Sequence, residues 1–149
     1  LVLVAAPATA AQPRLELREA LAAAADTAQF PADVPARIVA LPDDWSVSRP
    51  REGGPVWYRA VFDAQGVEAS GDLFALYVER VCSTFEVQLN GRRVHVAGRL
   101  VEPVTRNCQY PQLVTLPAAL LRAGANVIDL KVVGVPLHQV ASRQRAGGQ

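Results

Sequence analysis

The sequence predicts a mainly β fold, an antiparallel two-sheet sandwich or jelly roll with a short peripheral N-terminal helix. Three observations carry this. From Val56 onward apolar residues recur with a period of two in five or six short segments. Gly, Pro and Asn punctuate those segments, and the spacers are too short for βαβ crossovers, which leaves antiparallel pairing.

The chain opens on an apolar run from Leu1 that ends in Ala8-Thr9-Ala10 before turning polar. Residues 1–13 therefore read as the remnant of a signal peptide or as an apolar arm, too short to span a bilayer alone. Between Arg14 and Ala28, Leu17, Leu21 and Ala24 fall at helical spacing beside an alanine run, which predicts the peripheral helix, stopped at Phe30-Pro31. Pro31, Pro35 and Pro42 punctuate an irregular stretch, and Arg49 to Pro55 forms a Pro/Gly-rich loop.

Val56, Tyr58, Ala60 and Phe62 alternate with Trp57, Arg59 and Val61 on opposite faces of a strand. A second strand is expected over Leu73–Val81. Asn90-Gly91, whose residues tolerate the positive φ of a type I′ turn, joins strands at about 85–89 and 92–97. In the second of these, Val94 and Val96 alternate with a polar pair, Arg93 and His95. Leu113–Leu116 is a short strand, Pro117–Arg122 a helical turn capped by Gly124, and Asn126–Val133 the last strand. One domain is expected over 14–136, followed by a polar linker at 137–149.

Fifteen basic and fourteen acidic side chains give a formal charge of +1, so no electrostatic footprint marks a nucleic-acid partner. An even count of two cysteines in a chain that reads as exported favours a Cys82–Cys108 disulfide, closing a loop of about 25 residues for roughly 3–4 kcal/mol. His95 and His138 are isolated and no Cys-x-x-Cys occurs, so neither a metal site nor another cofactor is expected. No nucleophile context is present, His95 reads as a solvated strand residue, and Glu79 with Glu86 matches a carboxylate pair only loosely. The residues alone thus predict a chain that is not an enzyme.

For binding, aromatic faces stack on sugar rings while Arg, Asn and Glu supply directional hydrogen bonds. Two groups qualify. One is Trp57 with Arg59, for which core packing is the competing role; the other is Arg106, Asn107 and Tyr110, to which the disulfide would bring Glu79 and Arg80. The expected partner is a small polar ligand or saccharide. Membrane attachment would come only through flanking segments, and homodimerisation stays open.

Five segments in order resemble the galactose-binding-like jelly roll of bacterial extracytoplasmic sensor domains and of the sugar-binding domain of family 2 glycoside hydrolases. They are Leu41-Pro42-Asp43-Asp44-Trp45, Val56-Trp57-Tyr58-Arg59, Val87-Gln88-Leu89-Asn90-Gly91, Leu116-Pro117 with Leu120-Leu121, and Gly124-Ala125-Asn126-Val127-Ile128. The leader, the helix preceding Leu41-Pro42-Asp43-Asp44-Trp45, the cysteine pair and the short tail look most like the periplasmic part of sensor kinases or diguanylate-cyclase receptors. The resemblance implies an extracytoplasmic, membrane-anchored ligand sensor. The alternative is the sugar-binding domain of a family 2-like hydrolase, which in that family precedes an immunoglobulin-like domain and a catalytic barrel.

Overall fold

The computed structural model describes residues 15–64, 73–81, 84–98 and 111–140. Among the described residues, eight strands form two antiparallel sheets: β1 (Glu19–Ala24), β2 (Arg37–Ala40), β3 (Gly54–Asp63), β4 (Phe74–Val78), β5 (Thr84–Leu89), β6 (Arg92–Ala97), β7 (Gln112–Leu116) and β8 (Ala125–Gly134). The larger sheet runs β2-β1-β3-β8-β5-β6, and β4 pairs with β7 in the smaller one. The sandwich predicted from the alternation is therefore the fold, and the long β3–β8 ladder, in register from Gly54↔Gly134 to Asp63↔Ala125, is its spine.

The core lies between the sheets. Val56, Tyr58, Ala60 and Phe62 of β3 meet Ile128, Leu130 and Val132 of β8 and Phe85, Val87 and Leu89 of β5. Val78, Val114 and Leu116 close it from the smaller sheet. Each of these strands turns every second residue into this core, the period-two rule of a pleated strand.

The N-terminal helix is a correction. Residues 19–24 form β1, paired with β2 on one side and β3 on the other. Alanine favours a helix in isolation, but Ala20 and Ala22 have side chains small enough to fit the core beside Tyr58, and pairing along both edges satisfies the backbone. Tertiary context overrides propensity. The only α-helical turn among the described residues is α1 (Trp45–Ser48), capped by Asp44, whose side chain accepts from the Ser46 N–H.

His95 is a second correction. A β-bulge at Val87/Gln88 shifts the register of β6 by one, so His95 pairs with Val87 and its ring lies 5.5 Å from that of Phe85. Val96 pairs instead with Glu86 on the outer face. One extra residue reverses the alternation beyond it.

Two buried polar knots explain the recurring segments. Tyr58 donates to Asp43 at 2.7 Å and accepts from the Trp45 indole, while Arg49 lies 3.9 Å from Asp43. Burial, then the hydrogen bond to Asp43, pushes the Tyr58 pKa well above its ordinary value. The second knot ties the hairpin to the last strand. Asn90, at φ 50°, donates to the Leu120 carbonyl at 2.7 Å and to Asn126 at 2.9 Å, and its own carbonyl oxygen Oδ1 accepts from Val127 N–H at 2.9 Å. Gly91 follows at φ 80°, the left-handed pair that a type I′ turn requires.

Candidate functional site

The outer face of the larger sheet carries side chains that a sandwich core excludes. Because strands pair directly, two rows cross it. One runs Ile38, Leu21, Arg59, Asp129, Gln88, Arg93, and the next runs Ala23, Trp57, Lys131, Glu86, Val96. Asp129, Glu86, Gln88, Lys131 and Trp57 are all buried there.

The cover is the connection between β1 and β2. This strap, residues 25–36, has no helix or strand of its own and is held by side chains of the sheet. Lys131 Nζ donates to Asp26 at 2.9 Å and to the Thr27 carbonyl at 2.8 Å. Gln88 donates to the Ala28 carbonyl at 2.8 Å and to Glu86 at 2.6 Å. The Phe30 ring lies under the Arg59 guanidinium, 4.2 Å from it, a cation–π contact.

Arg59 also makes a two-pronged pair with Asp129, Nε to Oδ1 at 2.7 Å and Nη2 to Oδ2 at 2.8 Å. That hydrogen bonding raises the Arg59 pKa above its ordinary value. Lys131 Nζ stands 5.6 Å from the centre of the Trp57 ring. Four buried polar atoms find no hydrogen-bond partner among the described residues: the indole N–H of Trp57 and Oε1 of Gln88 on this face, and Arg49 Nε and His95 Nε2 away from it. Residues 27–34 of the strap themselves line an open hollow of about 390 Å³, Gln29, Phe30 and Asp33 among them.

Of the residues singled out in the sequence, Trp57 and Arg59 do share a face, as expected. Trp57 is wholly covered, however, and Arg59 is committed to Asp129 and Phe30. Glu79 and Arg80 are exposed just beyond β4. Arg106, Asn107, Tyr110, Cys82 and Cys108 lie outside the described residues. Trp45 is a core residue. Sequence reasoning missed Asp129 as the partner of Arg59 and Lys131 as the neighbour of Trp57. Their signal was charge at strand positions whose parity matches the outer face, on a strand already read as half-buried. Among the described residues no cluster of three or more His, Cys, Asp or Glu could hold a metal ion, and no helix is long and apolar enough to cross a membrane.

No family model and no curated protein matches the chain. Solved structures do. The β-glucuronidase of Faecalibacterium prausnitzii matches with a TM-score of 0.60 at 20% identity, over 86% of this chain and 22% of that one. A family 2 β-galacturonidase from Eisenbergiella tayi, bound to glycerol, matches with a TM-score of 0.55 at 17% identity, over 76% and 17%. The β-D-mannosidase of Dictyoglomus thermophilum gives 0.56 at 16% identity, over 80% and 15%. The chain thus spans about a fifth of the length of these proteins, and at such identities the likeness shows a shared fold. The expectation that the chain is not an enzyme is corrected here: its fold is one found within glycosidases, of which it matches about a fifth of the length. None of the structures named is a membrane receptor. The chain is a β-sandwich of the kind found in family 2 glycoside hydrolases.

Proposed function

We propose that the chain is the sugar-binding-type jelly-roll domain of a glycoside hydrolase resembling the family 2 enzymes. The observation that carries this reading is the match of nearly the whole sandwich, 86% of the chain, to part of a β-glucuronidase. The two buried knots support it, because they bring together the five segments on which the resemblance rests: Asp43, Trp45 and Tyr58 in one, Asn90, Leu120 and Asn126 in the other. No described feature favours the membrane-sensor reading over it.

The test is an assay of the whole protein in which the chain occurs, against aryl β-glucuronides, β-galacturonides and β-mannosides. Hydrolysis of at least one, lost when this domain is deleted or unfolded, is the expected result. A folded protein that cleaves none of them, or a glycosidase whose activity is indifferent to the domain, overturns the reading.

A further inference from the structure

The strap-covered face combines three features that do not serve packing. It carries a buried indole in a row with Lys131 and Glu86, a buried donor without an acceptor, and a buried acceptor without a donor. An unpartnered buried polar atom is costly, and a sheet face that needed only a cover would be apolar. The donor calls for an acceptor and the acceptor for a donor, and a ring that bears several hydroxyls supplies both. Indole presents an apolar plane on which the C–H face of a sugar ring stacks.

We propose that residues 25–34 of the strap are a displaceable cover, and that the face beneath, centred on Trp57, Gln88 and Lys131, binds one saccharide ring. The proposal rests on the glycosidase-domain reading above and adds to it a place and a mode of access. When the strap lifts, Lys131 loses Asp26 and the Thr27 carbonyl, Gln88 loses the Ala28 carbonyl and Arg59 loses the Phe30 ring; ring hydroxyls take over the hydrogen-bond positions. Arg59 and Asp129 keep each other and stay fixed, so the floor is formed before the ligand arrives. Of the contacts that latch the strap, the Lys131–Asp26 pair is the weak one. The Asp26 side chain is 84% exposed, and an ion pair with one partner in water holds little.

This arrangement separates a cover from a structural brace. A ligand that binds only the open form has its affinity reduced by the fraction of molecules that are open. Loosening the latch must then tighten binding, whereas loosening a brace cannot. The chain has two tryptophans, so ¹H–¹⁵N spectra of the labelled 149-residue chain show two indole signals, and Trp57→Phe assigns them. The probes are methyl β-D-glucopyranoside, D-mannose, D-glucuronate and D-galacturonate at millimolar concentration.

The Trp57 indole signal is expected to move with at least one probe while that of Trp45 stays. Asp26→Ala should tighten the affinity about two- to fivefold. Gln88→Leu should weaken it about tenfold with both indole signals still dispersed as in the folded protein. A Trp57 signal unmoved by every probe in both the wild type and Asp26→Ala overturns the site. Binding that Asp26→Ala leaves unchanged or weakens overturns the cover. Glycoside hydrolysis by the whole protein alongside an unmoved Trp57 rejects this site and keeps the domain reading, and movement of Trp57 without hydrolysis does the reverse.

Discussion

Replacing Asn126 with alanine tests how much of the fold depends on one amide. Asn126 is fully buried at the start of β8 and makes four hydrogen bonds. Its Nδ2 donates to the carbonyls of Arg122 at 2.8 Å and Gly124 at 2.9 Å. Its Oδ1 accepts from Arg122 N–H at 2.8 Å and from Asn90 Nδ2 at 2.9 Å. At about 0.5–1.5 kcal/mol net for each bond, their loss amounts to roughly 2–6 kcal/mol. The groups released around Arg122 lie near the surface and regain water, so about 3 kcal/mol is expected. With a urea dependence of about 2 kcal/mol per M, the midpoint of unfolding followed by tryptophan fluorescence falls by about 1.5 M. Asn126→Asp should cost more than the alanine change at neutral pH, because a carboxylate then faces two carbonyl oxygens, and should recover in part as acid protonates it. A loss below about 1 kcal/mol for Asn126→Ala would refute the knot as a main tie between hairpin and last strand.

Other outcomes follow from the same structure. The Tyr58 pKa is raised by burial and by Asp43, so the unfolded chain ionises this phenol near 10.0 while the folded one does not. Its contribution to stability is thus complete below that pH and is lost as pH rises above it; Tyr58→Phe should flatten the decline in urea midpoint between about pH 9 and pH 11. Arg59→Ala leaves the buried Asp129 carboxylate without its partner and should cost about 3 kcal/mol or more, whereas the double change with Asp129→Ala should cost less than the sum, as a double-mutant cycle would show. A methyl group added at Gly53 would stand 2.6 Å from Cδ of the Pro136 ring, so Gly53→Ala should lower the midpoint by an amount equivalent to about 1–3 kcal/mol. Thiol titration of the denatured, non-reduced chain from an exporting host should find no free thiol if Cys82 and Cys108 are bridged; two reactive thiols would refute the bridge.

The strands from β3 to β8 were legible because large side chains mark one face. Phe62, Leu89 and Ile128 cannot be mistaken for surface, and Asn90-Gly91 and Gly124 announce their turns. β1 was not legible for the opposite reason. Alanine fits a core or a surface equally, so Ala20, Ala22 and Ala23 carry almost no period, and the decision lies with neighbours 15 to 40 residues away along the chain. His95 was misplaced because a bulge adds a residue without any mark in the sequence. The pairing of Trp57 and Arg59 on one face could be read, but their cover could not. The strap has no periodicity, and only the folded chain shows which face it crosses.

The amide knot and the strap sit at opposite ends of the β3 ladder: Asn126 pairs with Phe62, whereas the strap leaves β1 beyond Ala24, which pairs with Val56. One end of the domain is consequently closed to change. Lengthening the turn at Asn90 or the approach to Asn126 by even one residue would misalign side chains that must meet across more than thirty positions of sequence. The other end is joined by a segment that owes the sheet only a few side-chain contacts, and it can grow, shrink or change composition without disturbing the ladder. New binding preferences in this scaffold should therefore arise by variation between residues 25 and 36, with the Asn90 end left as it is.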